Sequence, residues 1–242
     1  MECVSKTDIG MVRKTNQDAV KFNKINDEFA WSVVCDGMGG ANGGDIASAI
    51  AVNEIENYIK LNIKEDTDEN KFEEIMRSAV NKANFEIFAK ASKNKSLSNM
   101  GTTIVLCIVK KSNLHIIYAG DSRVYLIKPT KISQISKDHS VVQEMVDMGE
   151  ITQQDAKNHP QKNIITRALG VTKNIEPDYI KINISENDII LSCTDGLTNS
   201  ISDDLILEIC TSCEPCLAIE KLIKESNLKG GKDNITACII KV

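Results

Sequence analysis

Phe29-Ala30-Trp31-Ser32-Val33-Val34-Cys35-Asp36-Gly37 is a short apolar, β-branched run that stops at an Asp-Gly pair. That is the pattern of a buried strand ending in a turn. Gly39-Gly40-Ala41-Asn42-Gly43-Gly44-Asp45 follows, a flexible loop closing on an N-cap residue, Asp45. From there Ile46, Ala47, Ile50, Ala51, Ile55, Tyr58 and Ile59 recur at helical spacing. Beyond a polar linker at 64–70, a second stripe runs through Phe72, Ile75, Met76, Ala79, Val80, Ala83 and Ile87. Two long helices joined by a short polar loop pack antiparallel.

After Gly101 the period changes to two. Runs at 103–109, 114–119 and 123–127, separated by 110–113 and by Gly120-Asp121-Ser122, read as a β-meander. The stretch 133–172 is polar and broken, with a weak helical patch at 141–148, and long connections of this kind tend to be functional. Strands resume at 179–184 and 188–193, ending at Thr194-Asp195-Gly196; helical patches follow at 203–210 and 216–226, and a last strand at 235–242. This order predicts one α+β domain, a large antiparallel sheet system covered by helix pairs.

With 242 residues, 42% of them hydrophobic, the chain can bury a core without disulfide or metal staples. Its net charge of -5, with both signs interspersed, argues against a nucleic-acid partner. No signal peptide and no apolar run of bilayer length are visible, which predicts a cytoplasmic protein without a membrane partner. The eight cysteines are then expected to be reduced, with Cys35, Cys107, Cys193 and Cys238 as small core hydrophobes. Cys210, Cys213 and Cys216 have the spacing of an iron–sulfur motif. No fourth Cys follows nearby, so they read as residues along a helix.

Asp36, Asp121, Asp195 and Asp233 share one setting, a carboxylate at the tip of a buried strand and close to Gly. Each alone is an ordinary turn residue. Together, strand ends of one sheet system can bring them to a common rim, where a hard divalent cation relieves their repulsion. All-oxygen ligation favours Mg2+ or Mn2+, and His115, His139 and His159 lack the spacing of zinc ligands. Phosphate-binding loop, nucleophile-elbow and dinucleotide fingerprints are all missing.

Gly10-Met11-Val12-Arg13-Lys14-Thr15-Asn16-Gln17-Asp18, Val34-Cys35-Asp36-Gly37-Met38-Gly39-Gly40 and Met100-Gly101-Thr102-Thr103 resemble the metal-dependent Ser/Thr protein phosphatases (PPM, or type 2C). The match continues in the family's order through Ala119-Gly120-Asp121-Ser122-Arg123-Val124-Tyr125, Lys137-Asp138-His139-Ser140 and Ile165-Thr166-Arg167-Ala168-Leu169-Gly170. It ends with Cys193-Thr194-Asp195-Gly196-Leu197 and Lys232-Asp233-Asn234-Ile235-Thr236. The resemblance implies a single catalytic domain over 1–242 of the compact bacterial kind, folded as a four-layer αββα sandwich with helix pairs outside two mainly antiparallel sheets. It implies two Mn2+ or Mg2+ ions, with a third bound more weakly.

By position, Asp36 would bridge both ions, the Gly37 carbonyl would bind the second, and Asp195 and Asp233 the first. Asp121 would hold the third with Asp195, Asp18 would hold a water on a metal, and Arg13 would clamp the substrate phosphate. Asp36, Arg13, Asp195 and Asp233 form the implied catalytic set. Two such cations make hydroxide from a shared water at neutral pH, and direct attack of that bridging hydroxide on phosphorus needs no phosphoenzyme. Met38 stands where many relatives carry a His, leaving water or His159 to protonate the leaving group, water first. Residues 136–169 align with a flap beside the cleft. The implied substrates are phosphorylated proteins of a cognate Ser/Thr kinase, and a monomer is expected. An inactive binding module and a small-molecule phosphoesterase are the competing readings; intact Asp36, Asp195 and Asp233 favour the enzyme.

Overall fold

The computed structural model describes residues 1–39 and 43–242; Gly40, Ala41 and Asn42 of the glycine-rich loop lie outside the described residues. In chain order the elements begin with β1 (Glu2–Asp8), β2 (Asp18–Asn26), β3 (Phe29–Met38), α1 (Gly44–Asn62) and α2 (Phe72–Lys93). Next come β4 (Gly101–Thr102), β5 (Ile104–Lys110), β6 (Asn113–Ala119), β7 (Arg123–Lys128) and β8 (Lys131–Gln134). Then follow α3 (Val141–Asp147), α4 (Gln153–Asn158), β9 (Asp178–Asn183), β10 (Ile189–Cys193) and α5 (Asp195–Thr198). The chain ends with α6 (Asp203–Ser212), α7 (Pro215–Leu228) and β11 (Ile235–Lys241).

These strands make two sheets, one in the order β1-β11-β10-β7-β8 and one in the order β2-β3-β5-β6-β9, with β4 added to the end of β3. Every pairing is antiparallel. The two-residue alternation of side chains then separates three cores. In β5, Ile104, Leu106 and Ile108 face α1 and α2 with Trp31 and Val33, while Val105, Cys107 and Val109 face the other sheet. In β10 and β11, Leu191 and Ile239 face α6 and α7, while Ile190 and Ile240 join the layer between the sheets. Three apolar layers require four layers of backbone, the αββα sandwich expected above. The helices α1 and α2 lie side by side, with Lys82 and Glu54 paired at 3.1 Å across the seam.

Several local expectations are corrected. β3 does not turn at Asp36-Gly37 but continues, pairing Gly37 with Thr102 and Met38 with Gly101. Gly43, not Asp45, caps α1; Asp45 sits in the first turn, where its charge suits the positive end of the helix. The segments 114–119 and 123–127 are not neighbours in a meander, because β6 and β7 belong to different sheets. Gly120-Asp121-Ser122 is therefore a crossing between sheets. β1, β2, β4 and β8 had no sequence signal. β1, β2 and β8 are only half-buried, and β4 is two residues long. Residues 195–198 form a helical turn.

The crossing depends on Gly120. Its φ of +110° is unfavourable for any residue with a Cβ, and a Cβ there would stand 2.6 Å from the Thr103 methyl. Gly120→Ala is expected to destabilise the protein by about 2–4 kcal/mol in denaturant unfolding. Wild-type stability in that variant would show that the crossing tolerates another path.

Candidate functional site

The packing of the sheets gathers one end of several strands. The end of β10 lies against the start of β11 (Cys193 opposite Ala237), so Asp195 and Asp233, 38 residues apart in sequence, flank the same rim. Asp36, near the end of β3, is the strand partner of Asp18 at the start of β2. Asp121 occupies the crossing from one sheet to the other. The Asp36 carboxyl feels the charges of Asp18, Asp195, Asp121 and Asp233, so the carboxylates read from the sequence share one cleft.

Hydroxyl and amide groups hold this cluster in place. Thr103 Oγ1 accepts from the Asp36 N–H at 2.9 Å, and the Asp36 carbonyl accepts from the Thr103 N–H at 2.9 Å and from Thr102 Oγ1 at 2.8 Å. Thr194 Oγ1 donates to Asp18 Oδ2 at 2.9 Å and accepts from the Thr236 N–H at 3.0 Å. Asn199 Nδ2 donates to Asp195 Oδ2, and the Asn234 N–H donates to Asp233 Oδ1, both at 2.9 Å. Gly37 fits here because it has no side chain: a Cβ would lie 2.1 Å from the Gly44 carbonyl oxygen. The sequence motifs contained these threonines and Asn234 but not Asn199, and the role of all of them as supports is visible only in the contacts.

Electrostatically the cleft is under tension. Burial pushes the Asp18 carboxyl up to about 7, against hydrogen bonds from Thr236 and Thr194 and with the help of Asp195 and Asp233. Burial and the neighbouring charges of Asp195 and Asp138 lift Asp121 to about 8. Asp195 rises to about 6 through burial and Asp233. Asp36 is held well above the carboxylate range, first by burial and then by its four acidic neighbours. Asp18 Oδ1 is buried and has no hydrogen-bond partner among the described residues. A buried orphan acceptor facing like charges suits a cation, and the donors are oxygens only, the chemistry of Mg2+ and Mn2+. Among the described residues no three carboxylate, imidazole or thiol side chains close into a ready-made cage. An ion in this cleft would complete its shell from main-chain carbonyls and water, as Mg2+ commonly does.

Arg13 reaches this cleft, its Nη2 2.7 Å from Asp233 Oδ2 and its side chain half exposed. Residues 136–169, which contain α3 and α4, leave the rim and return to it. Thr102 and Leu169 exchange main-chain hydrogen bonds of 3.1 and 2.8 Å, and the Val141 N–H donates to Ile164. At the root, Arg123 forks onto Asp138 (Nε to Oδ1 3.0 Å, Nη2 to Oδ2 2.7 Å). His139 Nδ1 accepts the Gly120 N–H at 3.1 Å. Asp138 and His139 are thus supports of the Asp121 crossing. Met38 lies beside Gly101, and His159, at the end of α4, accepts a hydrogen bond from the Gln161 N–H within the same segment.

The cysteine triplet is not placed along one helix. Cys210 is buried in α6, Cys213 caps that helix and Cys216 is exposed at the start of α7. All eight cysteines are free.

A family model for protein phosphatase 2C matches residues 12–223. The chain belongs to the protein phosphatase 2C family. It is 37% identical to the serine/threonine phosphatase stp of Listeria monocytogenes, over 100% of this chain and 96% of the relative. The crystal structure of the serine/threonine phosphatase Stp1 from Staphylococcus aureus superposes with a TM-score of 0.93 at 30% identity, covering 100% of this chain and 94% of that one. The catalytic domain of the phosphatase PstP in complex with two manganese ions gives 0.85 at 29% identity, covering 98% and 96%. This member of the 2C family is therefore a protein phosphatase, and metal dependence comes with the family. Among the described residues no helix is long and apolar enough to cross a membrane.

The tension in this phosphatase's cleft has a measurable sign. An acid whose pKa rises on folding makes the folded state the stronger proton binder. For Asp18 the stability this confers is complete below the unfolded value of 3.8 and is lost as pH rises through about 7. In chelator-treated protein, Asp18→Asn is expected to raise Tm by several degrees at pH 8 and to change it little at pH 4. A variant less stable than wild type at pH 8 would show that the carboxylate is compensated.

Proposed function

We propose that this phosphatase hydrolyses phosphoserine and phosphothreonine in proteins, opposing the kinase that makes those esters, with the carboxylate cleft as its metal centre. The observation that carries this reading is the convergence of Asp18, Asp36, Asp121, Asp195 and Asp233, with Asp18 Oδ1 buried and unpaired among the described residues, beside the Arg13 guanidinium. Asp36, Asp195 and Asp233 would hold two Mn2+ or Mg2+ ions with the Gly37 carbonyl. Asp121 and Asp195 would hold a third, and Asp18 would act through a coordinated water. Bound there, the ions would supply an activated water at neutral pH and positive charge for the phosphoryl oxygens.

The chain's own groups do the rest. Arg13 offers a planar fork for two phosphoryl oxygens, and its half-exposed position lets it move from Asp233 onto a substrate. Thr194 orients the Asp18 carboxylate and Thr103 holds the Asp36 main chain, so both acids are positioned before a substrate binds. The Met38 thioether carries no proton to donate, so water is assigned the protonation of the leaving oxygen. Residues 136–169 act as the flap that governs access for protein substrates. The region 1–242 works as one catalytic domain.

A phosphothreonine peptide is expected to release phosphate only with Mn2+ or Mg2+ present, and Asp233→Ala to lower that rate by about 100-fold or more. Absence of release by the wild type at any concentration of either ion would overturn the assignment.

A further inference from the structure

We propose that His139 and Asp178 are positioning residues for Asp121. The Asp178 carboxylate fixes which imidazole nitrogen carries the proton, and the other nitrogen, with the His139 main chain, clamps Gly120 beside that acid. The inference rests on the reading above in which Asp121 and Asp195 hold the third ion.

Both main-chain polar groups of Gly120 bond to this one residue. The Gly120 N–H donates to His139 Nδ1 at 3.1 Å, and the Gly120 carbonyl accepts from the His139 N–H at 2.9 Å. A main-chain N–H can only donate, so Nδ1 carries no proton and the proton of the neutral ring sits on Nε2. Nε2 lies 3.3 Å from Asp178 Oδ2, so its proton is directed at the carboxylate. Arg167 Nη1 stands 3.4 Å from the same nitrogen but bonds Asp178 Oδ1 at 2.7 Å, holding the carboxylate toward the ring. Burial lowers the imidazole pKa below its ordinary value, which favours the neutral ring that this arrangement needs.

The parts of the clamp come from separate segments. The register of β9 on β6 sets Asp178 opposite Tyr118, whose ring stacks on His139 with centroids 5.2 Å apart and planes at 10°. The His139 carbonyl accepts from the Thr166 N–H at 2.8 Å. On the other side of Asp121, the Ser122 and Thr103 hydroxyls are 2.7 Å apart, and Thr103 Oγ1 accepts from the Asp36 N–H. The main chain is thus held at the residue before Asp121 and at the residue after it. Gly120 has more conformational freedom than any other residue type, and its two bonds to His139 restrict it. The direction of the Asp121 carboxylate follows from that restriction, as for a metal ligand oriented by the groups behind it.

The test separates the two ring nitrogens. The amide oxygen of His139→Asn can take the place of Nδ1, whereas His139→Gln can reach Asp178 but offers Gly120 no acceptor. Asp178→Asn can present an N–H to Nε2, which favours the tautomer protonated at Nδ1. In metal-free protein, 15N NMR is expected to show His139 protonated at Nε2 in the wild type and at Nδ1 in Asp178→Asn, with faster exchange of the Gly120 amide in that variant. In calorimetric titration with Mn2+, His139→Gln and Asp178→Asn should weaken by about 10-fold the one class of ion that Asp121→Ala abolishes, and His139→Asn should bind it as the wild type does. Wild-type His139 protonated at Nδ1 would overturn the positioning role. So would wild-type Mn2+ affinity in His139→Gln, equal losses in the Gln and Asn variants, or equal weakening of every class of ion. Should His139→Gln fail to fold, Asp178→Asn, at a side chain 46% exposed, decides the same question. An Asp121→Ala variant that loses no ion would instead overturn the reading of Asp121 as a ligand, and the proposal with it.

Discussion

The apolar layer between the two sheets is the constraint on which the cleft depends. Ala30, Val105, Cys107 and Ile116 of one sheet meet Val124, Leu126, Ile190 and Ile240 of the other, and the contact sets how the strand ends align. Side chains in such a layer interdigitate at close-packed density, which leaves little freedom for one sheet to slide over the other. Asp36 comes from one sheet, Asp195 and Asp233 flank strands of the other, and Asp121 lies on the passage between them. A shift between sheets would pull the acidic cluster apart, so packing energy far from the chemistry holds the chemistry together.

That packing also has an electrostatic cost. Several carboxylates are buried within reach of one another, and the protein answers with short hydroxyl and amide supports, not with arginines against each acid. Arginine is used sparingly, at Asp233 on the open side and at Asp138 behind the crossing. Supports of this kind fix direction without neutralising charge, and they leave the cleft anionic enough to attract cations. Functional sites commonly retain such tension and draw on the stability of the surrounding core.

The two borders of the cleft are built differently. The N-terminal border is a loop pinned by Asn234 and Gly231, with little room to rearrange. The border formed by residues 136–169 contains two short helices, but its exit is also gripped. Asn84 of α2 accepts the Gly170 N–H at 2.7 Å and donates to the carbonyls of Thr172 and Lys173. One helix layer is thereby connected to the segment that exchanges hydrogen bonds with Thr102, which in turn donates to the Asp36 carbonyl. These contacts tie both ends of residues 136–169 to the rim of the cleft.

Much of this is legible in the sequence alone. The apolar stripes of α1 and α2 and the alternation in β5, β10 and β11 specify their own elements, because each buries one face with a fixed period. The motifs around Asp36, Asp121, Asp195 and Asp233 specified the acidic set. Half-buried β1, β2 and β8 are not legible because polar residues on the open side erase the alternation; β1 is held by the distant β11, while β2 and β8 pair with their chain neighbours β3 and β7. The Asp-Gly pair at 36–37 reads as a turn in isolation; the Gly44 carbonyl packed against Gly37 and the pairing with β4 keep it extended. Sequence by itself determined which residues carry charge and which faces are apolar, because those are properties of side-chain chemistry and period. Only the tertiary structure decided that β6 and β7 part into different sheets and that threonines brace the acids, because each is set by contacts between segments far apart in the chain.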